Sequence, residues 1–273
     1  MPLSTSFYTE DEAAVAAEFL ERGYVIRPVD DRAALDELRG EVVAIVCEQL
    51  GRKVPNDHGA FLDNIHEELP VSDLNRVRLA LYHAMNAKEW FRPTYFRLGR
   101  SHLERLVGNE LAMQNRINFS IQLPEDDSSL LDIHADVYGG ETPFQVVQWL
   151  PLVDVFDSKA MFFLPRAKTE AIVPRLVELG DGGMDQLYKL VEPDLIWLPV
   201  PYGSTLIFSP NNLHGNIVNH TVTSRWSMNC RFTGLFTPYT SAEKKIGSYY
   251  LPITTRAVSR VGMSYRYPSG FSE

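Results

Sequence analysis

At Gly108 the hydrophobic pattern of the chain changes period, and this break constrains the fold more than any other feature of the sequence. Before it, apolar residues recur at the spacing of one helix face. After it, short apolar or alternating runs are separated by Pro, Gly, Asp and Asn. Residues 9–23 open on a Thr cap and an acidic turn and end on Gly, which predicts a first helix. A short strand follows at 24–29, then helices at 31–50, 61–69 and 72–90, the last carried by Leu74, Val77, Leu81 and Met85. Beyond Gly108 the pattern predicts strands near 113–123, 131–137, 144–150, 159–164, 194–198, 203–209, 212–219 and 225–236, with a helical insertion at 169–179. Short strands of this kind, with the helices gathered on the N-terminal side, predict a mainly β fold with α decoration: an antiparallel double-sheet jelly roll buttressed by the N-terminal helices.

Nothing in the pattern splits the chain. One domain is expected over 1–273, with a mainly helical part at 1–108, a jelly-roll core at 109–240 and a C-terminal extension at 241–273. With 26 Lys and Arg against 35 Asp and Glu, the formal charge of −9 argues against a nucleic-acid partner. Residues 1–12 lack a basic patch followed by an apolar run, and no uninterrupted apolar stretch is long enough to span a bilayer. No signal peptide and no membrane partner are therefore expected. The two cysteines, Cys47 and Cys230, have neither a disulfide framework nor zinc spacing, and reduced thiols in a cytoplasm fit them best.

The chemistry lies in LLDIHADVYGGETP and FSPNNLHGNIVNH. His134 and Asp136 stand two apart in a strand pattern, so an imidazole and a carboxylate share one face. His214 or His220 can supply a third ligand after the apolar strand at 204–209. Two histidines and one carboxylate that leave three metal positions open form the facial triad of non-heme Fe(II) oxygenases. Arg225 follows His214 at an interval that allows a turn and entry into a neighbouring antiparallel strand. Ser227 would then share the face of Arg225, and Arg plus hydroxyl makes a carboxylate clamp. Arg231 and Thr233 follow His220 at the same intervals, so spacing alone leaves both registers open.

The ordered set His134-x-Asp136, His214, Arg225-x-Ser227 resembles that of Fe(II)/2-oxoglutarate-dependent oxygenases. LHGNIVNHTVTSRWS is similar to the C-terminal motif of their phytanoyl-CoA hydroxylase-like branch. The stretch from Gln114 through PFQVVQWLPLVD to Arg231 resembles the oxygenases of sporadic bacterial carbohydrate-biosynthesis clusters. The chain departs from the branch at DSKAMFFLPRAKTEA, which lacks the expected Asn-Gly and Pro-Gly-Ser-His loop.

The resemblance implies a double-stranded β-helix (cupin-like jelly roll) and a dioxygenase that hydroxylates or otherwise oxidises a small molecule, with Fe(II) as cofactor and 2-oxoglutarate and O2 as cosubstrates. It makes His134, Asp136 and His214 the metal ligands and catalytic residues, and leaves His220 as a turn residue. Arg225 and Ser227 would hold the far carboxylate of 2-oxoglutarate. Asp136 keeps the carboxylate that halogenating relatives replace, which favours hydroxylation over halogenation. On the polar strand face Gln114, Arg116, Asn118, Ser120 and Gln122, Asn118 is the choice for a hydrogen bond to the C1 carboxylate of 2-oxoglutarate or to the substrate, the alternative being a solvated face.

The expected substrate partner is a carbohydrate or sugar-derived compound, nucleotide sugars included. The alternatives are the same chemistry on an amino acid, lipid or natural-product scaffold, and a non-catalytic cupin-like sugar-binding module. Gln148 or Trp149 must face the barrel interior, and Tyr138 is a candidate substrate contact. His58, His66, His83 and His102 lack ligand spacing, and Arg166, Lys168 and Arg175 read as solvated charge or as an anion patch. The extension at 241–273 reads as a lid or as the contact of a homo-oligomer.

Overall fold

The computed structural model describes residues 6–179, 183–239 and 241–270. The expected boundary at residue 240 and the outermost residues of the 1–273 span, 1–5 and 271–273, lie outside the described residues. The helices are α1 (Glu10–Arg22), α2 (Arg32–Leu50), α3 (His58–Asp63), α4 (Val71–Asn86), α5 (Phe91–Arg97), α6 (Arg100–Leu106), α7 (Arg166–Ile172), α8 (Gly183–Val191) and α9 (Ala257–Ser264). The strands are β1 (Tyr24–Pro28), β2 (Leu111–Gln114), β3 (Asn118–Gln122), β4 (Gln145–Pro151), β5 (Met161–Phe163), β6 (Ile196–Leu198), β7 (Ser204–Phe208), β8 (His214–Gly215), β9 (Arg225–Gly234) and β10 (Tyr250–Thr254). Helix α1 has the expected capping box, with Thr9 accepting from Glu12 N–H at 3.2 Å, and it ends on left-handed Gly23 at φ 83°.

The strands form two antiparallel sheets. The larger runs β1-β7-β4-β9-β2-β10, with β3 lying on β9 beside β2, and the smaller runs β6-β5-β8. Strand β9 is the spine. Its residues 225–229 pair with β3, its residues 232–234 with β2, and its other edge with β4. Alternation sorts its side chains: Trp226, Met228, Cys230 and Phe232 are buried against the helical layer of α2, α4 and α5, through Leu38, Val42, Val77, Leu81 and Tyr95. Arg225, Ser227, Asn229, Arg231 and Thr233 point the other way, into the space between the sheets. There, toward β7, Val147, Trp149, Leu206 and Phe208 meet Met161, Phe163 and Leu198 of the smaller sheet. The interior is thus apolar on the β4–β7 side and polar on the β9–β3 side. Trp149 is the interior residue of the Gln148–Trp149 pair, while Gln148 faces the helices beside Tyr95.

Several expectations need correction. Residues 131–137 do not form a strand. His134 makes only an isolated bridge to His214, and Asp136 opens a 3-10 turn, Asp136–Gly139, because the Gly139–Gly140 pair ends extended pairing at once. Of 212–219 only His214–Gly215 is strand. Strand β9 is not the neighbour of β8 but belongs to the opposite sheet. The intervening turn, tied by Asn219 Nδ2–H to Thr223 O at 2.8 Å, crosses from one sheet to the other. The run 113–123 is two strands, since the chain breaks at Asn115, Arg116 and Ile117. The extension also contains a strand the pattern did not predict, since β10 adds to the larger sheet at β2. It was hidden by Pro252, which an edge strand tolerates. No helix among the described residues is long and apolar enough to cross a membrane.

Trp226 joins the two layers, being fully buried with Nε1–H donating to Leu62 O at 2.9 Å. Trp226→Ala is expected to lower unfolding free energy by about 3–5 kcal/mol in urea denaturation. Trp226→Phe, which keeps the bulk and leaves the Leu62 carbonyl unpaired, should cost about 1–3 kcal/mol.

Candidate metal centre

His134, Asp136 and His214 come together from two segments distant in sequence, with one ligand atom from each within 4.8 Å of the others. Main-chain bonds set the pair of histidines. His134 N–H donates to His214 O and His214 N–H to His134 O, both at 2.9 Å. Each imidazole is then oriented by its own chain, since His134 Nδ1 lies 2.7 Å from Asp132 O and His214 Nδ1 lies 2.9 Å from Asn212 O. A carbonyl oxygen can only accept, so Nδ1 carries the proton in both rings and the Nε2 lone pairs are left for a metal. Asp136 Oδ1 lies 3.6 Å from His134 Nε2. No Cβ fits at Gly215: it would lie 2.7 Å from Leu131 O and 2.5 Å from the Phe162 ring, so the His-Gly pair allows the close approach of backbones that carries His214.

Electrostatics favour the ligand forms of two of the three. Burial pushes His214 down to about 4, so it is neutral at physiological pH. Burial opposes ionisation of Asp136, but the imidazole of His134, 3.6 Å away, and the charge of Arg231 outweigh it and hold the carboxyl far below its usual range. Burial also opposes protonation of His134. The nearby Asp136 carboxylate and the bond to the Asp132 carbonyl prevail and raise it, so a proton and a metal compete for Nε2.

His220 lies apart, exposed at the crossing turn and paired with Glu125 at 3.0 Å. Arg231 is not available as a free clamp either, since Nη2 lies 2.9 Å from Asp136 Oδ2 and Nε 3.5 Å from Glu141 Oε1. Arg225 differs sharply. It is buried without a carboxylate partner among the described residues, donating only to Ser120 Oγ at 3.1 Å and Lys159 O at 3.5 Å. Its Nε and the Oγ of Ser227 have no hydrogen-bond partner, and burial lowers the guanidinium to about 10.

A cavity of about 460 Å³ opens at His134, lined also by Tyr82, Asn118, Ser120, Asn229 and Arg231. Asn118 faces it with its amide donating to Asn229 Oδ1 at 3.0 Å. Tyr138, 49% exposed on the 3-10 turn, does not line it. Arg116 is exposed and bonds Asn86 O, so it leaves the polar strand face expected of it. His102 is buried against Pro28 O and His66 bonds Ser224 Oγ, both away from the centre. Arg166, Lys168 and Arg175 each pair with a carboxylate, Glu170, Asp194 and Glu178 respectively. Sequence reasoning missed Glu141, Lys244, Tyr249 and Tyr250, which surround Arg231. The available signal was the placement of Arg231 on the face of Arg225 and Ser227.

No protein-family model matches the sequence, and no curated protein matches it. Solved structures do match in shape. One is a non-heme monooxygenase, ThoJ, as a nickel complex, at TM-score 0.57 and 16% identity over 90% of this chain and 85% of that one. Another is EctD from S. alaskensis with bound Fe, at TM-score 0.54 and 15% identity over 88% and 83%. HygX from Streptomyces hygroscopicus, with nickel and 2-oxoglutarate bound, has TM-score 0.53 and 14% identity over 89% and 96%. The fold is the cupin-like jelly roll of such oxygenases.

Two outcomes check the centre. Cobalt(II) binding by the metal-free protein should be lost in His214→Ala and kept in His220→Ala, as read by isothermal titration calorimetry. Gly215→Ala should weaken cobalt binding and lower the melting temperature together, since the new methyl must displace the strand that holds His214.

Proposed function

We propose that the protein is a non-heme Fe(II)/2-oxoglutarate-dependent dioxygenase that hydroxylates a small polar metabolite. The observation that carries this reading is the pairing of two unmet needs in one barrel. Two imidazoles and a carboxylate converge with free ligand atoms, and a buried guanidinium beside an unpartnered hydroxyl lacks a counter-charge among the described residues. Isolating a charge in this way is costly unless an anion completes the site. A dicarboxylate that reaches the metal at one end and Arg225 at the other meets both needs, and the donor set suits Fe(II). The likeness to oxygenase folds, one with nickel and 2-oxoglutarate bound, supports the same reading.

In this reading His134, Asp136 and His214 hold Fe(II), and Arg225 with Ser227 holds the far carboxylate of 2-oxoglutarate. Together Fe(II), 2-oxoglutarate and O2 supply the oxidation, in which a substrate C–H becomes C–OH while 2-oxoglutarate becomes succinate and CO2. The chain's own part is binding, orientation and exclusion of water. The Asp132 and Asn212 carbonyls hold the two imidazoles, and the apolar interior around Trp149, Leu206 and Phe208 keeps solvent from the β7 side. Asn118 and Asn229, facing the cavity at His134, bind polar groups of the cosubstrate or substrate.

The carbohydrate reading of the substrate rests on that lining: Asn118, Ser120, Ser128, Ser129 and Asn229 offer hydroxyls and amides, and Tyr82 offers a ring face. The whole chain serves as one oxygenase domain in this proposal, because β1 and β10 tie the N- and C-terminal parts into the same sheet. Free, buried Cys47 and Cys230 suit a reducing cytoplasm.

Anaerobic titration of the metal-free protein with Fe(II) and then 2-oxoglutarate tests the cofactor pair. A weak visible charge-transfer band that saturates is expected. Arg225→Ala should retain Fe(II) while its 2-oxoglutarate affinity falls at least tenfold. Asp136→Ala should show no band. A wild-type protein that gives no band and keeps no iron would return the chain to a sugar-binding module without turnover. Succinate release in a screen of sugars and nucleotide sugars then tests the substrate class.

A further inference from the structure

Resting on the metal reading above, we propose that Arg231 is a positioning residue that restricts Asp136 to ligation through a single oxygen, and that the C-terminal segment belongs to this device. Arg231 places two donors on one atom: Nη2 lies 2.9 Å and Nε 3.2 Å from Asp136 Oδ2. A carboxylate oxygen offers about two lone-pair sites, and the guanidinium engages Oδ2 through the Nε–H bond and the close Nη2 contact. Oδ1, on the side of His134, is the oxygen left for a metal.

The distinction matters for chemistry. A carboxylate that chelates through both oxygens takes one of the three positions that a two-His, one-carboxylate set leaves open. A two-point cosubstrate and a gas need all three. Occupying Oδ2 from behind therefore protects the vacancy that the reaction uses.

Arg231 is itself held by groups that no ligand motif includes. Its Nη1 donates to Gln114 Oε1 at 3.3 Å, and Nε lies 3.5 Å from Glu141 Oε1. Glu141 is only 2% exposed. It accepts from Tyr249 at 2.8 Å and Tyr250 at 2.7 Å, and pairs with Lys244 at 3.0 Å. Lys244 Nζ–H also donates to Gly139 O at 2.6 Å, in the turn that Asp136 opens. Tyr250 lies opposite Gln114 in the β10–β2 ladder. The extension thus grips both the arginine and the turn that present Asp136. Two cations and two carboxylates balance within the group, so it can be buried without a further counter-ion.

Cobalt(II), added to the full-length metal-free protein, is the probe, read by affinity and by its visible d–d absorption. Arg231→Gln is expected to bind cobalt about 10–100-fold more weakly. Its band at saturation should be altered, and more 2-oxoglutarate should be needed to shift it. Arg231→Lys, which keeps the charge and loses the fork, should fall between the variant and the wild type. Tyr249→Phe with Tyr250→Phe should weaken cobalt binding several-fold through Glu141. Wild-type affinity and an unchanged band in Arg231→Gln would overturn the proposal, even with a lower melting temperature, because the arginine would then serve only the fold. Should Arg231→Gln fail to fold, the double tyrosine variant is read in its place, and unaltered cobalt binding there overturns it equally. A wild-type protein that binds no cobalt removes the metal reading and this inference with it.

Discussion

Strand β9 must bury one face in a hydrophobic layer and the other in a polar interior, and most of the molecule follows from how each face is satisfied. Its apolar face, Trp226 to Phe232, needs a cover, which the N-terminal helices provide. That accounts for a helical part of the chain attached to a barrel. Its polar face cannot simply be closed off, because buried guanidinium and hydroxyl groups cost free energy unless they find partners. Arg231 finds them within the chain, in Asp136 and Glu141. Arg225 bonds only Ser120 Oγ and the Lys159 carbonyl and meets no carboxylate among the described residues, which sets it apart from Arg231, six positions away on the same face.

Much of this was legible in the sequence. The period change at Gly108, the capped first helix and the alternation in 225–236 all rest on local pattern, and the structure keeps them. The pair His134 and Asp136 was recognised, yet the geometry that joins them is not strand alternation. An isolated bridge and a 3-10 turn bring them together, and neither has a periodic signature. The preference for His214 over His220 could not come from spacing, which is the same for both. It came from the resemblance carried by LHGNIVNHTVTSRWS, and the structure adds that His220 is paired with Glu125 on the surface. The contacts of Arg231 with Glu141 and of Glu141 with Tyr249 and Tyr250 join residues some ninety or more positions apart, which no window of sequence can reveal. Strand β10 was obscured for a different reason: Pro252 reads as a breaker, whereas at an outer edge its missing N–H faces no partner strand.

The electrostatics of the centre form one coupled system. His214 is kept neutral by burial, Asp136 is kept ionised by its neighbours, and the Asp136 carboxylate raises the proton affinity of His134 at the nitrogen that a divalent cation would use. A cation entering this site would meet a carboxylate already charged and already oriented. Little rearrangement is then required of the ligands, since the main chain fixes the imidazoles and Arg231 fixes the carboxylate.

The paired main-chain bonds between His134 and His214 also bear on how such a barrel diverges. They hold the two imidazoles in register without help from any side chain of the cavity wall. Tyr82, Asn118, Ser120 and Asn229 can therefore be exchanged by drift or selection with little effect on the ligand frame. A chain built this way can change the wall of its cavity one residue at a time while the main chain keeps the two imidazoles in place.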